Sequence, residues 1–139
     1  MRPFKWSKAN AVFVPEIDAE HRTIFRLGEE LQQALLAGAP LPEVLTVFRE
    51  LTAHSEEHFQ HEERLMRSTR YPILEWHKQQ HDTVRKRLKQ FGPGVEAGDM
   101  EAADQLVEFI AGWLRDHTRL ADRMMGAFVR NHERARAVA

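Results

Sequence analysis

Between Leu51 and Met66 the chain reads LTAHSEEHFQHEERLM, and within it His58 and Glu62 stand one helical turn apart. On a helix both project from one face. Val44, Val47, Leu51 and Leu65 share that face at helical spacing, so it is otherwise apolar. An imidazole and a carboxylate aimed into an apolar interior are costly unless something neutralises them. Any fold of this chain must therefore bring partners to that face.

Candidate partners stand on three other segments: His21, the i, i+4 pair His77 and His81, and His117 with Asp122 five residues on. Each sits on an apolar stripe of helical period. Ile17, Ile24, Phe25, Leu31 and Leu35 accompany His21, and Asp18 is a favoured N-cap type, so a first helix is expected over 18–38, ended by Gly38 and Pro40. A second helix is expected over 42–68, opening at Pro42. The third, over 72–91, carries Val84, Leu88 and Phe91 beside its histidines and stops at Gly92-Pro93-Gly94. Asp99 caps the fourth, over 99–131, with Leu106, Ile110, Trp113, Leu114, Met125 and Phe128 at helical intervals. Gly28, inside the first stripe, implies close approach of a neighbouring backbone. Residues 1–17 read as an irregular apolar arm and 132–139 as a fraying polar tail. No strand-like alternation occurs, so the expected fold is a single-domain, all-α, up-down-up-down antiparallel four-helix bundle.

Composition removes several alternatives. With no cysteine there are no disulfides, thiolate metal sites or cysteine nucleophile. The formal net charge of −1 argues against a nucleic-acid partner, and no stretch reaches the ~20 apolar residues of a membrane span. No signal-peptide pattern opens the chain, so a cytoplasmic protein, monomeric by default, is expected.

Four helices each presenting metal-capable side chains inward point to a metal centre. Five imidazoles and two carboxylates suit a borderline divalent ion such as iron or manganese and disfavour calcium and magnesium. Seven donors exceed the four of a tetrahedral zinc, and carboxylates can bridge, so a pair of ions is expected at His21, His58, Glu62, His77, His81, His117 and Asp122.

These residues also carry a resemblance. Ile17-Asp18-x-x-His21, His58-Phe59-x-x-Glu62-Glu63-x-x-Met66, Tyr71-Pro72 with His77-x-x-x-His81, and Trp113-Leu114-x-x-His117-x-x-x-x-Asp122 resemble the hemerythrin family, nearest its single-domain bacterial branch. The resemblance implies two iron ions bridged by an oxo or hydroxo group. His77, His81 and His117 would bind one and His21 and His58 the other, with Glu62 and Asp122 bridging. It further implies reversible O2 binding at the open position, or NO or peroxide there, and a protein recipient of O2. Phe59, Trp113, Leu114 and Thr118 would line the O2 pocket, with Leu114 as gate. His54 lies outside the motif and is expected at most behind the ligands; Glu63 is expected at the surface or behind them. Two further functions stay open at this point: a di-iron enzyme (peroxidase, NO reductase or ferrous oxidase), or an O2 or redox sensor acting through a partner. The absence of paired Glu-x-x-His motifs separates the chain from ferritin-like oxidases.

Overall fold

Apolar stripes of period 3.6 on four segments can all be buried at once only by packing the segments around a common axis. The computed structural model, described over residues 2–138, has this architecture. Helix α1 spans Pro15–Leu36, α2 Leu41–Ser68, α3 Leu74–Glu96 and α4 Met100–His117. A five-residue π-helical turn, Thr118–Asp122, joins α4 without a break to α5, Arg123–Ala137. Helix α1 packs on α2 and α4, and α3 on α2 and α4. Met1 and Ala139, the ends of the expected arm and tail, lie outside the described residues. No helix among the described residues is long and apolar enough to cross a membrane.

Several boundaries differ from the sequence expectations for physical reasons. Helix α1 starts at Pro15, whose fixed φ suits the first helical position. Asp18 falls inside the first turn, where its carboxylate accepts the Val12 and Phe13 N–H groups at 2.8 and 3.1 Å. It thus ties down the arm rather than capping the helix. Helix α3 does not stop at Gly92 but runs through Pro93 to Glu96. A proline inside a helix costs about 3 kcal/mol. Here the final turn is held by Val95, fully buried in the core, and by Glu96, gripped by both nitrogens of the Arg49 guanidinium fork. The tail expected to fray from 132 is helical to Ala137. Asp99 does cap α4, its side chain accepting the Ala102 N–H at 3.1 Å.

The core divides into two apolar clusters. The larger is built on Phe25, Leu31, Phe48, Leu51, Leu106 and Ile110, and the smaller on Val12, Ile17, Met66, Tyr71, Met125 and Val129. Along each helix the candidate ligands fall between residues of the two clusters, forming a polar layer between two apolar ones.

The arm is a strap seated on glycines. The Phe4 ring lies over Gly28, and a Cβ at Gly126 would stand 2.6 Å from the Val12 carbonyl oxygen. Gly28 therefore answers to an aromatic side chain, not to a backbone. Asn10, fully buried, donates from Nδ2 to the Thr118 hydroxyl at 2.9 Å, and Arg123 donates to the carbonyls of Lys8, Ala9 and Ala11. The strap is thus tied to the π turn. Gly126→Ala is expected to destabilise the fold by about 1–3 kcal/mol, because the obstacle is backbone. Gly112→Ala meets only the mobile end of Arg2 and should cost less. Urea denaturation of the two variants checks the order.

Candidate metal centre

The π turn solves the spacing of His117 and Asp122. In an α-helix residues five apart diverge by about 140°, whereas a π turn, with its i→i+5 bonds, returns them to one side. Together with His58 and Glu62 on α2, His77 and His81 on α3, and His21 on α1, they form one buried cluster in which no member is more than 5% exposed.

Within it are two overlapping donor sets. Glu62, His77, His81, His117 and Asp122 each offer an atom within 4.8 Å of the others, and so do His21, His58, Glu62 and Asp122. Both carboxylates belong to both sets, one oxygen facing each way. Glu62 Oε1 lies 3.0 Å from His81 Nε2 and 3.3 Å from His77 Nε2, while Oε2 lies 3.0 Å from His58 Nε2 and 3.4 Å from His21 Nε2. Asp122 Oδ1 approaches His117 and His77 at 2.9 and 3.0 Å, and Oδ2 approaches His21 at 3.0 Å.

These atoms are close without being aligned. His21 Nε2, His117 Nε2, Glu62 Oε2 and both Asp122 oxygens are buried and lack a hydrogen-bond partner. Buried polar atoms left unpaired at such distances are costly. Lone pairs that converge on a shared point instead of on one another are what cations require. The donors present therefore fit two metal ions.

Three imidazoles are steered from behind. His58 Nδ1 meets Glu20 at 2.6 Å, His81 Nδ1 meets Glu63 at 2.8 Å, and His117 Nδ1 meets the Gln80 side-chain oxygen at 2.7 Å. An acceptor behind Nδ1 fixes the proton there and leaves the Nε2 lone pair facing inward. Of the two places expected for Glu63, the structure gives the one behind a histidine: it is buried against His81 and is held in turn by Arg85 at 2.9 Å. Arg85 also binds Glu56 and Asp82. Glu20, Gln80 and Arg85 escaped the sequence reading because they stand beside the inward stripes, where charge usually means solvent. The adjacency of Glu20 to His21 and of Gln80 to His81 was the available signal.

The expected pocket residues divide. The Phe59 ring stacks on His81 and the Trp113 ring on His117, each at 4.2 Å and 13°, and the two meet edge to face at 5.7 Å. With Leu114, Ile24 and Leu51 they border a narrow apolar cavity of about 10 Å³, enough for one water-sized guest. Thr118 is fully buried and donates its hydroxyl to the Leu114 carbonyl at 2.8 Å, so it fastens the backbone of the π turn. His54 is exposed and lines a cleft with Glu20 and His58.

For the chain alone, protons balance the buried acids. Burial opposes ionisation of Glu62, yet the charge of His58 and the close approach of the His21, His58 and His77 imidazoles outweigh it and hold the carboxyl well below its ordinary value. Asp122 is opposed by burial and by Glu62, and the histidines again win. Burial lowers His58, but Glu62 and Glu20 raise it to about 10; His77 goes to about 9 through Asp122 and Glu62, against burial. His21 is also raised, despite burial, while burial lowers His117. Raised histidines stabilise the fold fully below their ordinary 6.5, and that contribution disappears as pH climbs through the folded values. The lowered carboxylates contribute above about 4.5 and lose their contribution as pH falls. The melting temperature of metal-free protein should therefore decline between pH 6.5 and about 10, and bound metal should flatten that decline. Thermal scans with and without chelator read both.

Comparison with known proteins agrees with this geometry. The family model for the Hemerythrin HHE cation binding domain matches residues 12–129. The bacteriohemerythrin of Aquifex aeolicus is 31% identical over 119 residues, covering 84% of this chain and 88% of that one. That of Clostridium acetobutylicum is 26% identical over 124 residues, covering 86% and 96%. The myohemerythrin of Theromyzon tessulatum is 27% identical over 120 residues, covering 86% and 88%.

Proposed function

The chain belongs to the hemerythrin family, and from that premise we propose that its buried cluster holds two iron ions and binds O2 reversibly. The observation that carries the reading is the two-sided use of Glu62 and Asp122, each carboxylate turning one oxygen to either histidine set. In this reading His77, His81 and His117 would hold one ion and His21 and His58 the other, with Glu62 and Asp122 shared between them.

The iron pair, when bound, supplies the electrons and the open coordination position that O2 needs. The rest falls to the chain. Three imidazoles against two would leave the His21–His58 side one protein donor short, and O2 would be admitted there. Glu20, Glu63 and Gln80 hold three of the rings with Nε2 inward. Phe59 and Trp113 cover His81 and His117 and keep water away. Leu114, on the cavity wall, is the gate, and Thr118 secures the turn behind it. Five neutral donors to two carboxylates favour reversible binding over the oxidative chemistry that glutamate-rich bundle sites support.

Iron-loaded protein should contain two ions per chain. Reduced without oxygen and then exposed to air, it should develop a visible absorption band that disappears under vacuum and returns with air. A band that forms once and never regenerates would end the carrier reading. His58→Ala should lose the reversible band and retain at most one firmly held ion, measured by metal analysis.

A further inference from the structure

The cluster is sealed from solvent, so an ion reaching it must pass one of the imidazoles that wall it. We propose that the cleft between α1 and α2 is the loading vestibule of the centre, where a divalent cation is captured by Glu20, His54 and Glu57 and enters at His58. The proposal rests on the metal-centre reading above.

Three observations support it. The cleft, about 290 Å³, is lined by Ala19, Glu20, Thr23, His54, Glu57 and His58. At roughly 30 Å³ per water, a cation with its six waters fits. His58 is the shared wall: Nδ1 meets Glu20 on the cleft side at 2.6 Å, and Nε2 meets Glu62 on the inner side at 3.0 Å. Capture and final site are thus one imidazole apart.

Carboxylates not bound by a guanidinium distinguish this side from the others. Its lining holds two carboxylates and no lysine or arginine. Behind His81 stands Arg85, 2.9 Å from Glu63 and 5.4 Å over the Phe59 ring, and its pairing with Glu63, Glu56 and Asp82 leaves the carboxylates of that side already held by a guanidinium. Behind His117 are the neutral Gln80 amide and the stacked Trp113 ring. The outer nitrogens of His21 and His77 are buried without a partner.

The cleft also has a means of handing the ion on. Glu20 divides its oxygens between His58 and the half-buried His61, which it meets at 2.7 Å, and its own side chain is 35% exposed. A cation drawn to Glu20 competes for the oxygen that holds His58, and release of that bond frees the ring to turn. His61 keeps the carboxylate in position meanwhile.

Loading of metal-free protein with Fe(II) under anaerobic stopped flow, read by quenching of tryptophan fluorescence, tests this. Trp113, stacked on His117, is the reporter. The double variant His54→Gln/Glu57→Gln should load about tenfold more slowly, the loss expected when a steering charge is removed. It should still reach two ions per chain and the parental visible spectrum. Glu101→Gln, a change of equal charge at an exposed site on α4, should load at the parental rate. An unchanged rate in the double variant, or equal slowing in Glu101→Gln, would overturn the vestibule while leaving the centre intact. A parent protein that never takes up two ions would remove the centre itself, and the vestibule with it.

Discussion

Two carboxylates buried side by side are the constraint on which the structure depends. Glu62 and Asp122 are at most 1% exposed, and between two apolar clusters their repulsion is poorly screened. Removing such charges from water is unfavourable by several kcal/mol per ion unless compensation is close. The imidazoles around them supply it: in the metal-free chain His21, His58 and His77, whose proton affinity the carboxylates raise, balance the charge, and a metal bound there would take over that role. The fold can therefore place its rigidity in the clusters on either side and leave the middle layer to be completed by a ligand. Folding and metal binding become linked quantities.

That layer needs one departure from regular geometry, and the N-terminal strap secures it. A π turn weakens the helix it interrupts, because an extra residue must be accommodated within the turn. Thr118 returns its hydroxyl to the Leu114 carbonyl and accepts from Asn10, while Arg123, immediately after the turn, binds three carbonyls of the strap. The arm looks in sequence like packing material. In the structure it braces the segment that delivers His117 and Asp122 together.

What could be read from the sequence follows a simple physical division. Four helices were legible because each carries a long stripe of period 3.6, and the seven cluster members because polar side chains on such stripes violate the pattern. Residues that obey the pattern while doing something else were not legible. Glu20, Gln80 and Arg85 flank the stripes and look solvated, so the grip of Glu20 on His58, of Gln80 on His117 and of Arg85 on Glu63 emerges only when two helices are brought together. Pro93 looked like a stop because local propensity favours one, and the burial of Val95, a tertiary effect, overrides it. Gly28 announced a close approach without naming Phe4 as its cause. The π turn left only the odd interval of five between His117 and Asp122, which by itself resembles two unrelated residues.

The partners behind the imidazoles differ in a way that bears on the proposed centre. Glu63, behind His81, is buried and pinned by Arg85, itself bound to Glu56 and Asp82, so its charge is insulated from the medium. Gln80, behind His117, is neutral and makes that ring a weaker donor than a carboxylate would. Glu20, behind His58, is anionic but partly exposed and shared with His61. The three-histidine side thus has a fixed electrostatic setting, and the two-histidine side has one that solvent and bound cations reach through a single carboxylate. Any influence of the medium on this cluster is therefore transmitted first to His58.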